Sequence, residues 1–193
     1  MNVTRIHFHG PYPLCREDED VLGRCPYSEQ GGIYLWALKM PDGNYRVTYI
    51  GETGTSFYQR TKEHVIQQLG GNYGISDPKA LQEGRSEIVW NGLWRKGTRD
   101  KLPEFFRRCE ELAPIAKAFL IAHWVFVAPL DCERRLRRRI EGAIALALRK
   151  GQIGAELLAD DVRYYGRKPN AEPMEIAVTT DCNIDGFPLL IAA

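Results

Sequence analysis

Apolar positions fall in blocks that alternate with turn-forming and charged stretches. Residues 33–38 form an apolar, aromatic-rich run, and PDGN follows at 41–44, where Asp-Gly is a strong tight-turn signal. Residues 45–50 then alternate, with Val47 and Tyr49 on one face and Thr48 and Ile50 on the other. The pattern predicts an antiparallel hairpin. Thr55 or Ser56 is suited to cap a helix running to about residue 69, and Gly70-Gly71 stops it. Tyr58, Val65 and Leu69 share one side of that helix, while Arg60 and His64, four apart, share the adjoining face.

The near-continuous apolar run 119–127 predicts a third strand, covered on both faces. A helix is expected over 131–150, with Asp131 as N-cap and Gly151 as stop. Its apolar stripe is Leu136, Ile140, Ala143, Ile144 and Ala147, and Glu141 lies at the edge of that stripe. VTRIHFH at 3–9 predicts a short strand, and residues 1–29 read as an extension ahead of the hairpin. Residues 72–118 read as an insertion. They hold a strand-like piece at 87–90 and a helix at 103–118 that Pro114 should kink or end. A short helix at about 154–160, the loop YYGRKPNAEP and an apolar tail complete the chain. The fold expected is one α/β domain: a small, mainly antiparallel sheet of three or more strands flanked by helices.

Composition narrows the setting more than the chemistry. The 193 residues carry a net charge of +1, so a nucleic-acid partner would need a local basic face. Five cysteines without a C-x-x-C pair argue against a disulfide framework and for a reducing, cytoplasmic setting. The N-terminus lacks the pattern of a secretory signal. The longest apolar run, 119–130, is interrupted by His123 and is too short to span a bilayer, so no membrane partner is expected.

The chemistry lies in a constellation. Gly32-Ile33-Tyr34 and Tyr49-Ile50-Gly51 sit on the two hairpin strands. Arg60 and His64 follow on one helix, Glu141 on another, and Asn170 in a late loop. In that order they resemble the GIY-YIG nuclease superfamily, closely over 30–70 and loosely over 119–170. The resemblance implies a divalent-metal-dependent endonuclease that hydrolyses DNA phosphodiester bonds. It makes Glu141 the ligand of a Mg²⁺ or Mn²⁺ ion, Arg60 the stabiliser of transition-state charge, and Tyr34 the general base toward water. It implies that Tyr49 contacts the phosphate or the attacking water and that Asn170 braces the site, with Asn183 the other claimant. His64 is assigned a supporting catalytic role. The residue types suit the reaction: a carboxylate holds a hard cation, a guanidinium fork fits a phosphate, and a phenol needs help to act as a base.

Many members of the superfamily carry a lysine soon after the second tripeptide. Here Glu52 stands there, and Lys62 on the helix is a substitute for the charge. Arg134, Arg137 and Arg138 fall on Glu141's side of their helix and are the expected contacts to the DNA backbone, whereas Arg135 and Arg139 face away. Plainer readings stand beside these. Tyr34 and Tyr49 suit a cross-strand aromatic pair, and Glu141 suits an arginine partner within ERRLRRRIE. His7, His9, Cys15 and Cys25 include zinc-ligand types, but their spacing is that of ordinary thiols and strand histidines. Trp90 and Trp94, flanked by Arg85, Arg95, Lys96 and Arg99, suit either core packing or a DNA-contacting patch. The alternative to a nuclease is a catalytically inactive scaffold that binds nucleic acid or a protein partner; RNA in place of DNA is a third option.

Overall fold

Residues 41–44 close the hairpin by local chemistry. Gly43 takes a positive φ of 89°, and the Asp42 carboxylate accepts the Asn44 amide at 2.9 Å. On either side run β2 (Gly32–Lys39) and β3 (Tyr45–Thr53), paired antiparallel with Tyr34 opposite Gly51 and Trp36 opposite Tyr49. The computed structural model describes residues 3–94, 101–151, 157–158 and 172–192. Among them the hairpin belongs to a six-stranded sheet of order β3-β2-β6-β1-β7-β8, completed by β1 (Val3–Pro13), β6 (His123–Pro129), β7 (Glu175–Thr180) and β8 (Leu189–Ala192). The architecture is α/β, but the sheet is larger than expected and mixed, because β1 and β7 run parallel. The cause is the N-terminal strand. Instead of extending from an edge, β1 lies inside the sheet between β6 and β7.

Helices cover both faces. α4 (Arg134–Lys150) lays Ile140, Ile144 and Ala145 against Ile33, Leu35, Val47, Ile50 and Phe126. On the other face, α1 (Phe57–Leu69) and α3 (Lys101–Ala122) bring Phe57, Val65 and Leu120 onto Tyr34, Trp36, Val125 and Val127. Val47 and Ile50 therefore share the α4 face, contrary to strict alternation. A bulge between Trp36 and Ala37 leaves Thr48 without a partner in the register and reverses the order of faces.

Three boundaries also depart from expectation. α3 runs through Pro114 and takes up residues 119–122, where the apolar run predicts strand. Leu112, Ala116 and Leu120, spaced by four, form its buried stripe, and an apolar run does not by itself separate helix from strand. Pro114 is tolerated because it faces solvent, where the orphaned carbonyl one turn back can be hydrated. α4 starts at Arg134 with Glu133 as N-cap, not Asp131. In α1, Ser56 is the cap, accepting the Gln59 amide at 3.0 Å. Its buried stripe is Phe57, Thr61, His64, Val65 and Gln68, while Leu69 stays exposed.

The segment read as an insertion has its own small core. β4 (Ile75–Ser76), α2 (Pro78–Gln82) and β5 (Ile88–Trp90) precede α3, and Ile75, Trp90, Leu112 and Ala116 pack together. The helix expected at 154–160 lies almost wholly outside the described residues, as does most of the loop after it. His123 joins α3 to β6. It is fully buried, with Nδ1 at 2.6 Å from the Phe119 carbonyl and Nε2 at 3.1 Å from Thr48 Oγ1. Burial pushes its pKa down to about 4, so it remains a neutral bridge. None of the five cysteines is disulfide-bonded, and among the described residues no helix is long and apolar enough to cross a membrane.

Pro114→Ala should stabilise the protein by about 1–3 kcal/mol, since an exposed mid-helix proline gives way to the best helix former. A urea midpoint at or below that of the parent would show that α3 needs the proline.

Candidate active site

The glycines of the two tripeptides are explained by close approach. A side chain at Gly51 would collide with the Tyr34 hydroxyl, which crosses the strand at that point. One at Gly32 would collide with the Ala128 carbonyl of β6. Tyr34 thus lies flat over β3 and beneath α1, only 1% exposed. From α1, His64 Nε2 stands 2.8 Å from the Tyr34 hydroxyl, and Arg60 Nε donates to the same oxygen at 3.4 Å. The Tyr34 oxygen accepts from Arg60 and keeps its own proton for a partner, which is His64 when Nε2 is the unprotonated nitrogen. Arg60 also pairs with Glu63 at 3.2 Å.

Burial sets the protonation states. It holds the His64 pKa down to about 3, with the Arg60 charge adding to the effect, so the imidazole is neutral. The Tyr34 phenol is pushed well above its ordinary range by burial and by Tyr49, against the pull of Arg60. Tyr49 is raised as well, by burial first, and it senses both Arg60 and the negative charge of Glu141.

Glu141 comes from α4, on the opposite face, and reaches the site at the β3 edge. Its pKa is raised to about 7, chiefly by burial and then by Glu52, with Arg138 and Arg60 opposing. Among the described residues none gives Glu141 a hydrogen bond or an ion pair. A half-buried carboxylate in that state suits a hard cation, to which it would supply one oxygen ligand. Tyr34, Tyr49, Arg60, His64 and Glu141 therefore converge. Asn170 lies outside the described residues, and Asn183 stands apart, its carbonyl accepting the Tyr45 amide at the far end of β3.

The basic residues are arranged differently from the expectation. Arg134, Arg137 and Arg138 gather on Glu52, at 3.5, 3.1 and 3.2 Å. Arg137 is nearly buried there and also donates to the Cys132 carbonyl, so its guanidinium is not offered to solvent. Arg134 is 69% exposed and is the outermost of the three. Lys62 leans over the Tyr58 ring, 5.7 Å away and close to Asp20, rather than toward Arg60.

Beside His64 opens a cavity of about 800 Å³ lined by Trp36, Tyr49, Arg60, His64, Tyr73 and Trp94, among others. Tyr73 and Trp94 belong to the segment read as an insertion, and nothing in their spacing signals the cavity. Trp90 is core, its indole bonded to the Gly71 carbonyl at 2.7 Å, whereas Trp94 is exposed and packs edge-on to Tyr73. Arg85 is held by Glu83 and Glu87, and Arg95, Lys96 and Arg99 lie outside the described residues. No family model, curated protein or solved structure matches the chain.

Gly51→Ala should cost about 1–3 kcal/mol, because Tyr34 must leave its place over β3; a unchanged urea midpoint would contradict the packing. Glu141 yields a pH-dependent prediction. Its folded pKa lies above the ordinary 4.5, so between pH 4.5 and about 7 the unfolded chain loses the proton first and stability falls as pH rises. Glu141→Gln should remove that loss, raising stability by about 1–3 kcal/mol at pH 8 and leaving it nearly unchanged at pH 4.5. Melting curves at the two pH values check the difference.

Proposed function

We propose that the chain is a divalent-metal-dependent endonuclease of the GIY-YIG type acting on DNA. The observation that carries this reading is the joining of Tyr34, His64 and Arg60 in one hydrogen-bonded set, bordered by a carboxylate of raised pKa that has no hydrogen-bond or ion-pair partner among the described residues. A purely structural tyrosine pair would not call for a guanidinium and a neutral imidazole on the same phenol.

In the proposed reaction Arg60 turns from Tyr34 to the scissile phosphate and uncovers the phenol. A water positioned there gives its proton to the phenol oxygen as the phenol proton passes to His64 Nε2. No phenolate is formed, which suits a phenol whose pKa is already raised. The bound phosphate offsets the Arg60 charge, the second cause after burial of the low His64 pKa, and so removes one of the two barriers to proton uptake there. A Mg²⁺ or Mn²⁺ ion on Glu141 would supply charge neutralisation at the phosphate and the leaving oxygen. The aromatic cavity supports a nucleic-acid substrate over a small phosphodiester, because Tyr73 and Trp94 at its rim suit stacking of unpaired bases.

The test is nicking of supercoiled plasmid in the presence of Mg²⁺ or Mn²⁺, with RNA of matching sequence in parallel. Tyr34→Phe and Glu141→Ala should each lower the rate by about 100-fold or more. Undiminished cleavage in both variants would remove the mechanism. Metal-independent DNA binding without nicking would favour an inactive scaffold, and cleavage confined to RNA would change the substrate.

A further inference from the structure

We propose that His7, His9 and Asp181 form a second metal site, apart from Glu141, that binds a divalent late transition-metal ion, with Zn²⁺ as its probe. The backbone assembles the three ligands. His7 and His9 are two apart on β1 and so project from the same face. β7 runs parallel to β1 with Thr179 opposite His7 and Thr180 opposite Phe8. The Asp181 amide then bonds to the Phe8 carbonyl at 3.2 Å, carrying the pairing one residue beyond β7 and setting the carboxylate before both rings.

One ligand atom from each of the three side chains lies within 4.8 Å of the others. His7 Nε2 is 2.6 Å from Asp181 Oδ1, and His9 Nδ1 is 3.4 Å from Oδ2. Oδ2 also accepts the Gly10 amide at 3.3 Å. Ligands of tetrahedral zinc, at bonds of 2.0–2.2 Å, stand about 3.3–3.6 Å apart. The His9 Nδ1–Oδ2 separation falls in that range, while His7 approaches the other oxygen, so the carboxylate faces the two rings with one oxygen each. The shorter His7 contact is a hydrogen bond whose proton the ion replaces, and it need open by only about 1 Å.

Two further contacts favour an ion over a plain hydrogen-bonded pair. His7 Nδ1 is engaged by Thr179 Oγ1 at 2.7 Å, the kind of outer bond that fixes the tautomer and orientation of a metal-bound imidazole. His9 is held by stacking on Tyr27, with ring centroids 4.4 Å apart. Two imidazole nitrogens and a carboxylate suit zinc better than magnesium. The half-exposed side chains leave the fourth position to water. The ion would tie the middle of β1 to the chain just after β7.

Zn²⁺ binding to the full-length Glu141→Ala protein, stripped with chelator, tests this without uptake at the candidate active site. Competition against a chromophoric chelator should give one equivalent of Zn²⁺, accompanied by a rise in melting temperature. His9→Ala and Asp181→Asn should each weaken binding by at least about 10-fold, and Thr179→Val, which leaves the ligands in place, by about 10-fold. Co²⁺ should give a tetrahedral absorption spectrum without a thiolate charge-transfer band, a readout that needs no variant of the three ligands. Uptake below one equivalent, unchanged affinity in the His9 and Asp181 variants, or a thiolate band would overturn the proposal.

Discussion

A buried carboxylate must be paired, and much of the candidate site follows from how Glu52 meets that demand. Glu52 sits on β3, its side chain only 10% exposed, and draws Arg134, Arg137 and Arg138 from the first two turns of α4. That anchors the helix at the sheet edge. Glu141, one turn beyond Arg137, is thereby brought to where Tyr49 and Arg60 sense its charge. The same anchor raises the energy of what it positions, since Glu52 is the second cause, after burial, of the high Glu141 pKa. Glu52, directly after Tyr49-Ile50-Gly51, thus has a physical role: it fixes the helix that carries Glu141.

The features legible in the sequence were those that local spacing determines. Asp42-Gly43 between two apolar runs specified the hairpin, and the i, i+4 spacing of Arg60 and His64 put both beside Tyr34. The bulge was not legible, because a period-2 pattern has no mark for an unpaired Thr48. The end of α3 was missed because Phe119 to Ala122 is equally apolar in either conformation. The place of β1 was hidden, since alternation gives a strand's faces but not its neighbours. His7 and His9 were visible as ligand types, but their partner was not a nearby cysteine. It was Asp181, brought in by parallel pairing from the far end of the chain.

Residues 72–118 contribute to the site as well as to the outline. Their own apolar cluster anchors them, and Tyr73 and Trp94 wall the cavity that opens beside His64. The hairpin supplies the two phenols and α1 the guanidinium and imidazole, while this segment supplies part of the cavity wall. Variation there would reshape the cavity without touching the phenol, imidazole and guanidinium.

The central position of β1 carries a kinetic consequence. Its partners are β6 at His123–Pro129 and β7 at Glu175–Thr180, so neither of its edges can pair until most of the chain is available. The hairpin and α1 can form from neighbouring residues, but the sheet between β6 and β8 closes only through contacts of very long sequence separation. Folding should accordingly be slow for the chain's size. During synthesis Ile6 and Phe8, both core residues in the finished sheet, would remain uncovered until the last strands arrive, making this the interval in which the nascent chain is most prone to aggregate.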